Sequence, residues 1–143
     1  MVIVALGVVT CSLMAVAAVL LTRDATERAA ERQETNMRVA WDVLSDYGSG
    51  FSIEGETLKV GATTLNDFTA PVDRIKTLVG GTATVFMGDM RVTTNVVKDD
   101  GKRAVGTRLK AGAVHDAVLR DGKPYRGTAD ILGKPYFVAY DPI

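Results

Sequence analysis

Few side chains in this 143-residue chain have both the type and the spacing for chemistry. Its one histidine, His115, stands between Val114 and Asp116 with no second ligand at metal spacing, and reads as a surface residue. Its one cysteine, Cys11, cannot close an intramolecular disulfide, and one cysteine with one histidine cannot build a zinc cage. Asp99, Asp100 and Gly101 faintly suggest a calcium loop, but Lys98, Lys102 and Arg103 oppose a cation and no glutamate closes the loop. Asp89 and Asp130 are turn or strand residues without a partner for general acid–base work. Nucleophile elbows, phosphate loops and dinucleotide fingerprints are absent. The expectation is therefore no catalytic residue, no metal ligand and no cofactor: the chain does not read as an enzyme. With 17 basic and 17 acidic residues the net charge is zero, so composition does not suggest a nucleic-acid face.

Binding chemistry is better represented, on two hairpins. Gly88-Asp89 is a two-residue turn, which sets Phe86 against Arg91 and Thr84 against Thr93. Alternation then gives an apolar face of Ala83, Val85, Met87, Met90, Val92, Thr94 and Val96, which should be core and take a helix. The opposite face carries Thr82, Thr84, Phe86, Arg91, Thr93 and Asn95: hydroxyls, an amide, one ring and one guanidinium. With Gly133-Lys134 as the turn of the last hairpin, Tyr125, Ala129, Ile131, Tyr136, Val138 and Tyr140 share one face, and Arg126, Thr128, Asp130 and Phe137 the other. A guanidinium ringed by hydroxyls and phenols suits a small anion, most simply a carboxylate. The plainer alternative is a threonine-rich face that is merely solvated, with the tyrosines in the core. A closed cavity of roughly 300 Å³ would favour a ligand; a flat, wet or protein-covered face would not.

The elements that must position these groups follow from hydropathy and punctuation. All charged residues lie beyond position 22, and residues 2–21 are uncharged and free of proline. Twenty helical residues span roughly 30 Å, so residues 1–22 are expected to form one transmembrane helix. A signal peptide is the rival reading, disfavoured by the missing basic start and the long apolar run. Arg23, Arg28 and Arg32 follow the span, which on charge alone would place the rest inside the cell. Residues 22–47 lack glycine and proline and carry the i,i+4 pairs Asp24/Arg28 and Glu34/Arg38, so residues 23–50 read as a helical stalk and first helix of the domain. Residues 51–143 form the α+β core. It should hold a hairpin around Glu54-Gly55-Glu56, a helix at 69–79 capped by Thr69 with Val72, Ile75, Leu78 and Val79 inward, and a third helix at 111–120. The chain stops in what reads as mid-strand, as a piece of a longer protein would.

Residues 80–143 resemble the single Cache sensor domains of bacterial methyl-accepting chemotaxis proteins and related membrane receptors. The carrying elements are residues 82–86 and 91–95 around their turn, Asp100-Gly101, Val105-Gly106-Thr107, Tyr125-Arg126-Gly127, Leu132-Gly133-Lys134-Pro135-Tyr136 and Tyr140-Asp141-Pro142. The likeness extends over most of residues 35–143. It implies a long N-terminal helix packed on an antiparallel, PAS-like sheet, preceded by a membrane helix, with the domain on the periplasmic side of the bacterial inner membrane. It also implies a small-molecule ligand, a homodimer through the N-terminal helix, and site positions near Arg91, Thr93, Tyr125, Tyr136, Tyr140, Phe86 and Arg126. Parity disfavours Arg126 unless a bulge intervenes. The output implied is chemotaxis, with a histidine kinase, a diguanylate cyclase or an anchored scaffold as alternatives.

Overall fold

The computed structural model describes the backbone of residues 3–143 and the side chains of residues 22, 23 and 25–143. The chain groups into two compact units, Met1–Arg32 and Gln33–Ile143. The first is built on helix α1, which runs Ile3–Ser45; the absence of glycine and proline from 22 to 47 lets it continue unbroken to Ser45. Among the described residues no helix is long and apolar enough to cross a membrane; the side chains of the expected span lie, up to residue 21, outside the described residues.

The second unit is α+β with antiparallel strands, as expected. After α1 come β1 (Phe51–Glu54), β2 (Thr57–Val60), β3 (Thr63–Thr64), α2 (Ala70–Val79), β4 (Thr84–Met87), β5 (Met90–Thr94), α3 (Ala113–His115), β6 (Tyr125–Ile131) and β7 (Lys134–Tyr140). The strands form three sheets, β1-β2-β3, β4-β5 and β6-β7, where one PAS-like sheet was anticipated. The reason lies at the free edge of β5. Its backbone groups are taken by the coil that follows: Arg91 N–H bonds Thr107 O at 2.9 Å, Gly106 N–H bonds Arg91 O at 2.8 Å, and bridges join Met90 to Arg108 and Val97 to Arg103. That coil occupies the place where another long strand would pair.

Local chemistry explains the ends of the elements. α1 stops before Gly48, whose φ of 148° lets its backbone lie against Gly61; a Cβ there would meet Val60 O at 2.7 Å. Pro71 opens α2 and Gly80, at φ 73°, closes it, with Gly80 N–H bonded to Lys76 O. Thr69 precedes the helix but makes no side-chain cap bond. Pro71, Val72 and Ile75 are buried, whereas Leu78, expected inside, is 57% exposed. The anticipated third helix is a single α turn, α3, that widens into a π-helical turn at Asp116–Arg120. Leu44 at the end of α1 shares one core with Leu58, Val60, Leu65, Val72, Val85 and Val92, so the apolar side of β4-β5 does meet the long helix.

Register decides which side chains reach the site. In β6-β7 the turn is Leu132-Gly133, both at positive φ, one residue earlier than anticipated. Partners slip by two positions, so face membership survives: Tyr125 pairs Tyr140 and Ala129 pairs Tyr136. In β4-β5, Phe86 pairs Arg91 as anticipated, but Val85 pairs Thr93 and Thr84 pairs Thr94. Val92 is an extra residue on β5, a bulge that unaided alternation cannot foresee. Beyond it, Thr93 is turned to the core, contrary to its expected place on the ligand face.

Candidate functional site

Within the second unit, helix α1, α2, β4-β5, the π turn and the last hairpin line a partly open cavity of about 780 Å³. Arg91, Phe86, Tyr136 and Tyr140 line it, four of the seven positions anticipated from sequence. Arg91 is 5% exposed. The pairing with Phe86 lays its guanidinium 5.0 Å from that ring's centre, and Tyr140 stacks obliquely on the same ring at 5.9 Å. Arg91 Nη1 donates to Thr107 Oγ1 at 2.9 Å and to Arg108 O at 3.3 Å, while its buried Nε has no acceptor. All of these partners are neutral. Burial pulls the Arg91 guanidinium below its usual range, opposed by the nearby Tyr140, and burial pushes the Tyr140 hydroxyl up, opposed by Arg91. The arrangement is a desolvated cation with unused donor capacity at the wall of a cavity.

Three anticipated residues do not belong to it. Thr93 is fully buried and its Oγ1 donates to Phe68 O at 2.8 Å, fastening β5 to the approach to α2. Asn95, also expected on that face, is buried and holds Ala83 N–H and Val72 O. Tyr125 shares a face with Tyr136 and Tyr140, but its ring folds over Gly127 and its hydroxyl donates to Thr128 O at 3.0 Å. Arg126 lies on the opposite face, as parity held, and is engaged through Nε and Nη1. Its Nε donates to Glu34 Oε2 at 2.9 Å and its Nη1 lies 2.7 Å from Asp141 Oδ1 and bonds Tyr140 O at 3.0 Å. Trp41 Nε1 donates to the other Asp141 oxygen at 2.9 Å, and Gln33 Nε2 to Phe137 O at 3.0 Å. These bonds clamp the last hairpin to α1.

Burial raises both ends of that clamp in energy, yet the pairing prevails. Burial pushes the Asp141 carboxyl up, but the contacts of Arg126 and Trp41 and the Arg126 charge hold it below the usual range. Arg126 is correspondingly held above its own despite burial. Sequence reading missed Thr107, Trp41 and Asp141 as contributors. Asp141 meets Trp41 across a separation of 100 residues, which no local pattern carries. Asp89 and Asp130, read as lacking a partner for general acid–base work, form ion pairs with Arg108 and, at 3.4 Å, with Lys110. No cluster of histidine, cysteine and acidic residues suited to a metal occurs among the described residues.

Residues 63–143 match the family model described as single Cache domain 3. That span is narrower at its start than the likeness read from sequence, which began near residue 35. Neither a curated protein nor a solved structure matches the chain.

Proposed function

The chain belongs to the single Cache domain 3 family, extracellular sensor domains of signalling receptors, and from that premise we propose that it senses a small organic acid for a bacterial chemoreceptor. The observation that carries the reading is Arg91: a buried guanidinium with neutral partners and an idle Nε, facing a cavity of about 780 Å³. A carboxylate there gains charge-assisted hydrogen bonds from a donor already stripped of water. Phe86 and Tyr140 fix the guanidinium plane, and the Tyr140 hydroxyl stays neutral and available as a donor.

Relay follows from the neighbour in sequence. Asp141 is next to Tyr140, and the clamp from Asp141 and Arg126 reaches Trp41 and Glu34 on α1. A ligand that prefers one setting of Tyr140 biases the clamp, and so the helix, by its differential affinity for the two settings. In this reading residues 1–22 anchor the chain in the cell membrane, the domain is periplasmic, α1 pairs two copies, and the domain is non-catalytic. The scaffold alternative expected a face at Arg91 that is flat and wet or covered by protein; the burial of Arg91 disfavours the first and the cavity it lines disfavours the second.

A thermal-shift panel tests this. A cognate organic acid at millimolar concentration raises the melting temperature, and Arg91→Ala abolishes the rise while preserving the far-UV spectrum. A panel without any shift sinks the acid-sensing reading.

A further inference from the structure

The charge inventory of the cavity narrows what kind of acid fits, and this step rests on the reading of Arg91 as an anion site. Two charged residues line the wall among the described residues, Arg91 and Asp141. The charge of Asp141 is already paired: its Oδ1 lies 2.7 Å from Arg126 Nη1 in an ion pair, without a hydrogen bond, and its Oδ2 accepts from Trp41 at 2.9 Å. Two of the polar wall groups are taken up within the protein: Gln33 bonds Phe137 O at 3.0 Å, and the Thr84 hydroxyl lies 2.6 Å from that of Thr94; the others, Asn36, Ser52, Thr82, Tyr136 and Tyr140, are uncharged. One cation therefore faces the space with no free carboxylate beside it. An amino acid would leave its ammonium without a counter-charge, and a dicarboxylate would leave its second carboxylate without a second cation.

Most of the remaining wall is hydrophobic. Ile75 and Val79 of α2, Val118 and Leu119 of the π turn, Ile131 of β6 and Met37 of α1 all line it. A cavity of about 780 Å³ is the size of sites that enclose drug-sized ligands, roughly 300–1,000 Å³. An acid of two or three carbons would fill a small part of it and leave most of the apolar wall uncovered. We propose that the ligand is a monocarboxylate with an extended apolar body, its carboxylate on Arg91 and its alkyl or aryl portion along the wall of α2 and the π turn.

The test uses the full chain in lipid nanodiscs, with Trp41, the single tryptophan and itself a lining residue, as the fluorescence reporter. Empty discs correct for partitioning of the probes into lipid. The probes are acetate, butyrate, hexanoate, octanoate, succinate, leucine and hexanol. Burial of about 0.8 kcal/mol per methylene predicts affinity rising about fourfold per added CH₂, hence about 16-fold from butyrate to hexanoate. Hexanol binds at least tenfold more weakly than hexanoate, and Arg91→Lys weakens hexanoate while leaving hexanol unchanged. Succinate or acetate binding as tightly as hexanoate, in an Arg91-dependent way, overturns the apolar-body proposal and leaves the acid-sensing reading standing. Hexanol equalling hexanoate overturns the anion site itself, and so does silence across the whole series. The comparison of hexanol with hexanoate needs no variant, so a folding failure at position 91 does not remove the test.

Discussion

At the scale of single residues, Arg91 shows how a neutral setting prepares a charge for work. Its desolvation is partly offset by the Phe86 ring and two neutral acceptors, which leaves a cation stabilised less than a salt bridge would stabilise it. Because an arginine stays protonated in proteins and burial pushes the Tyr140 hydroxyl up, neither group changes charge near neutrality. Ligand affinity measured by titration calorimetry is therefore flat from about pH 6 to 9, and falls only when the acid itself takes up its proton, near pH 4–5. Thr93 makes the opposite case. Thr93→Val removes the donor to Phe68 O and costs about 1–2 kcal/mol in urea melts, with ligand affinity unchanged because the side chain faces the core. A loss of binding in that variant would restore Thr93 to the site. Phe86, Arg91, Tyr136 and Tyr140 were legible from alternation and turns, since each lies where pairing is regular. Thr93 was not, because Val92 adds a residue to β5, and Tyr125 was not, because ring torsion over a glycine leaves no mark on strand parity.

At the scale of elements, the fold depends on long-range polar ties between pieces that contact one another sparingly. The last hairpin has its own full ladder, yet its polar connection to α1 passes through the Gln33–Phe137 bond and the group Glu34, Arg126, Asp141 and Trp41. Removing the guanidinium leaves two carboxylates facing each other without a cation. Arg126→Gln is expected to lower stability by about 1–2 kcal/mol, a value below that of a buried pair because Glu34 is half exposed. The informative readout is coupling. In this variant the acid still binds with an affinity within about threefold of the parent, while the ligand-induced change in Trp41 emission is lost. A variant that retains the full emission change would show that the hairpin speaks to α1 by another route. Turn chemistry made the element boundaries readable: Pro71 and Gly80 bracket α2, Gly88-Asp89 and the 132–133 pair make hairpins. What could not be read was competition for a sheet edge. The coil at 103–108 satisfies β5, and nothing in its composition distinguishes it from a loop that would leave that edge open.

At the scale of the whole molecule, two carboxylates set the acid limit of the sensor unit. Asp73 on α2 accepts a two-pronged bond from Arg103, at 2.8 and 2.9 Å, and Arg103 also donates to Thr94 O, so α2, β5 and the coil are joined at one point. Asp141 does the same for β6, β7 and α1. The Arg103 bond holds the Asp73 carboxyl below its ordinary value, and for Asp141 the contacts of Arg126 and Trp41 overcome the opposing effect of burial. A carboxyl with a depressed folded pKa stabilises the native state above its unfolded pKa of about 3.9, and that contribution is lost as the pH falls through the folded value. Urea midpoints are therefore steady from about pH 5 to 7 and decline below about pH 4. Salt separates the two contributions. The Asp73–Arg103 pair is solvent-accessible and weakens at high ionic strength, where the Debye length shrinks to about 3 Å at 1 M, whereas the Asp141 network is sheltered by α1 and the hairpin. Asp141→Asn should then flatten the part of the acid decline that persists in 1 M salt, and Asp73→Asn the part that salt already removes. If both variants decline with acid as the parent does, these two ties are not what holds the unit closed at low pH.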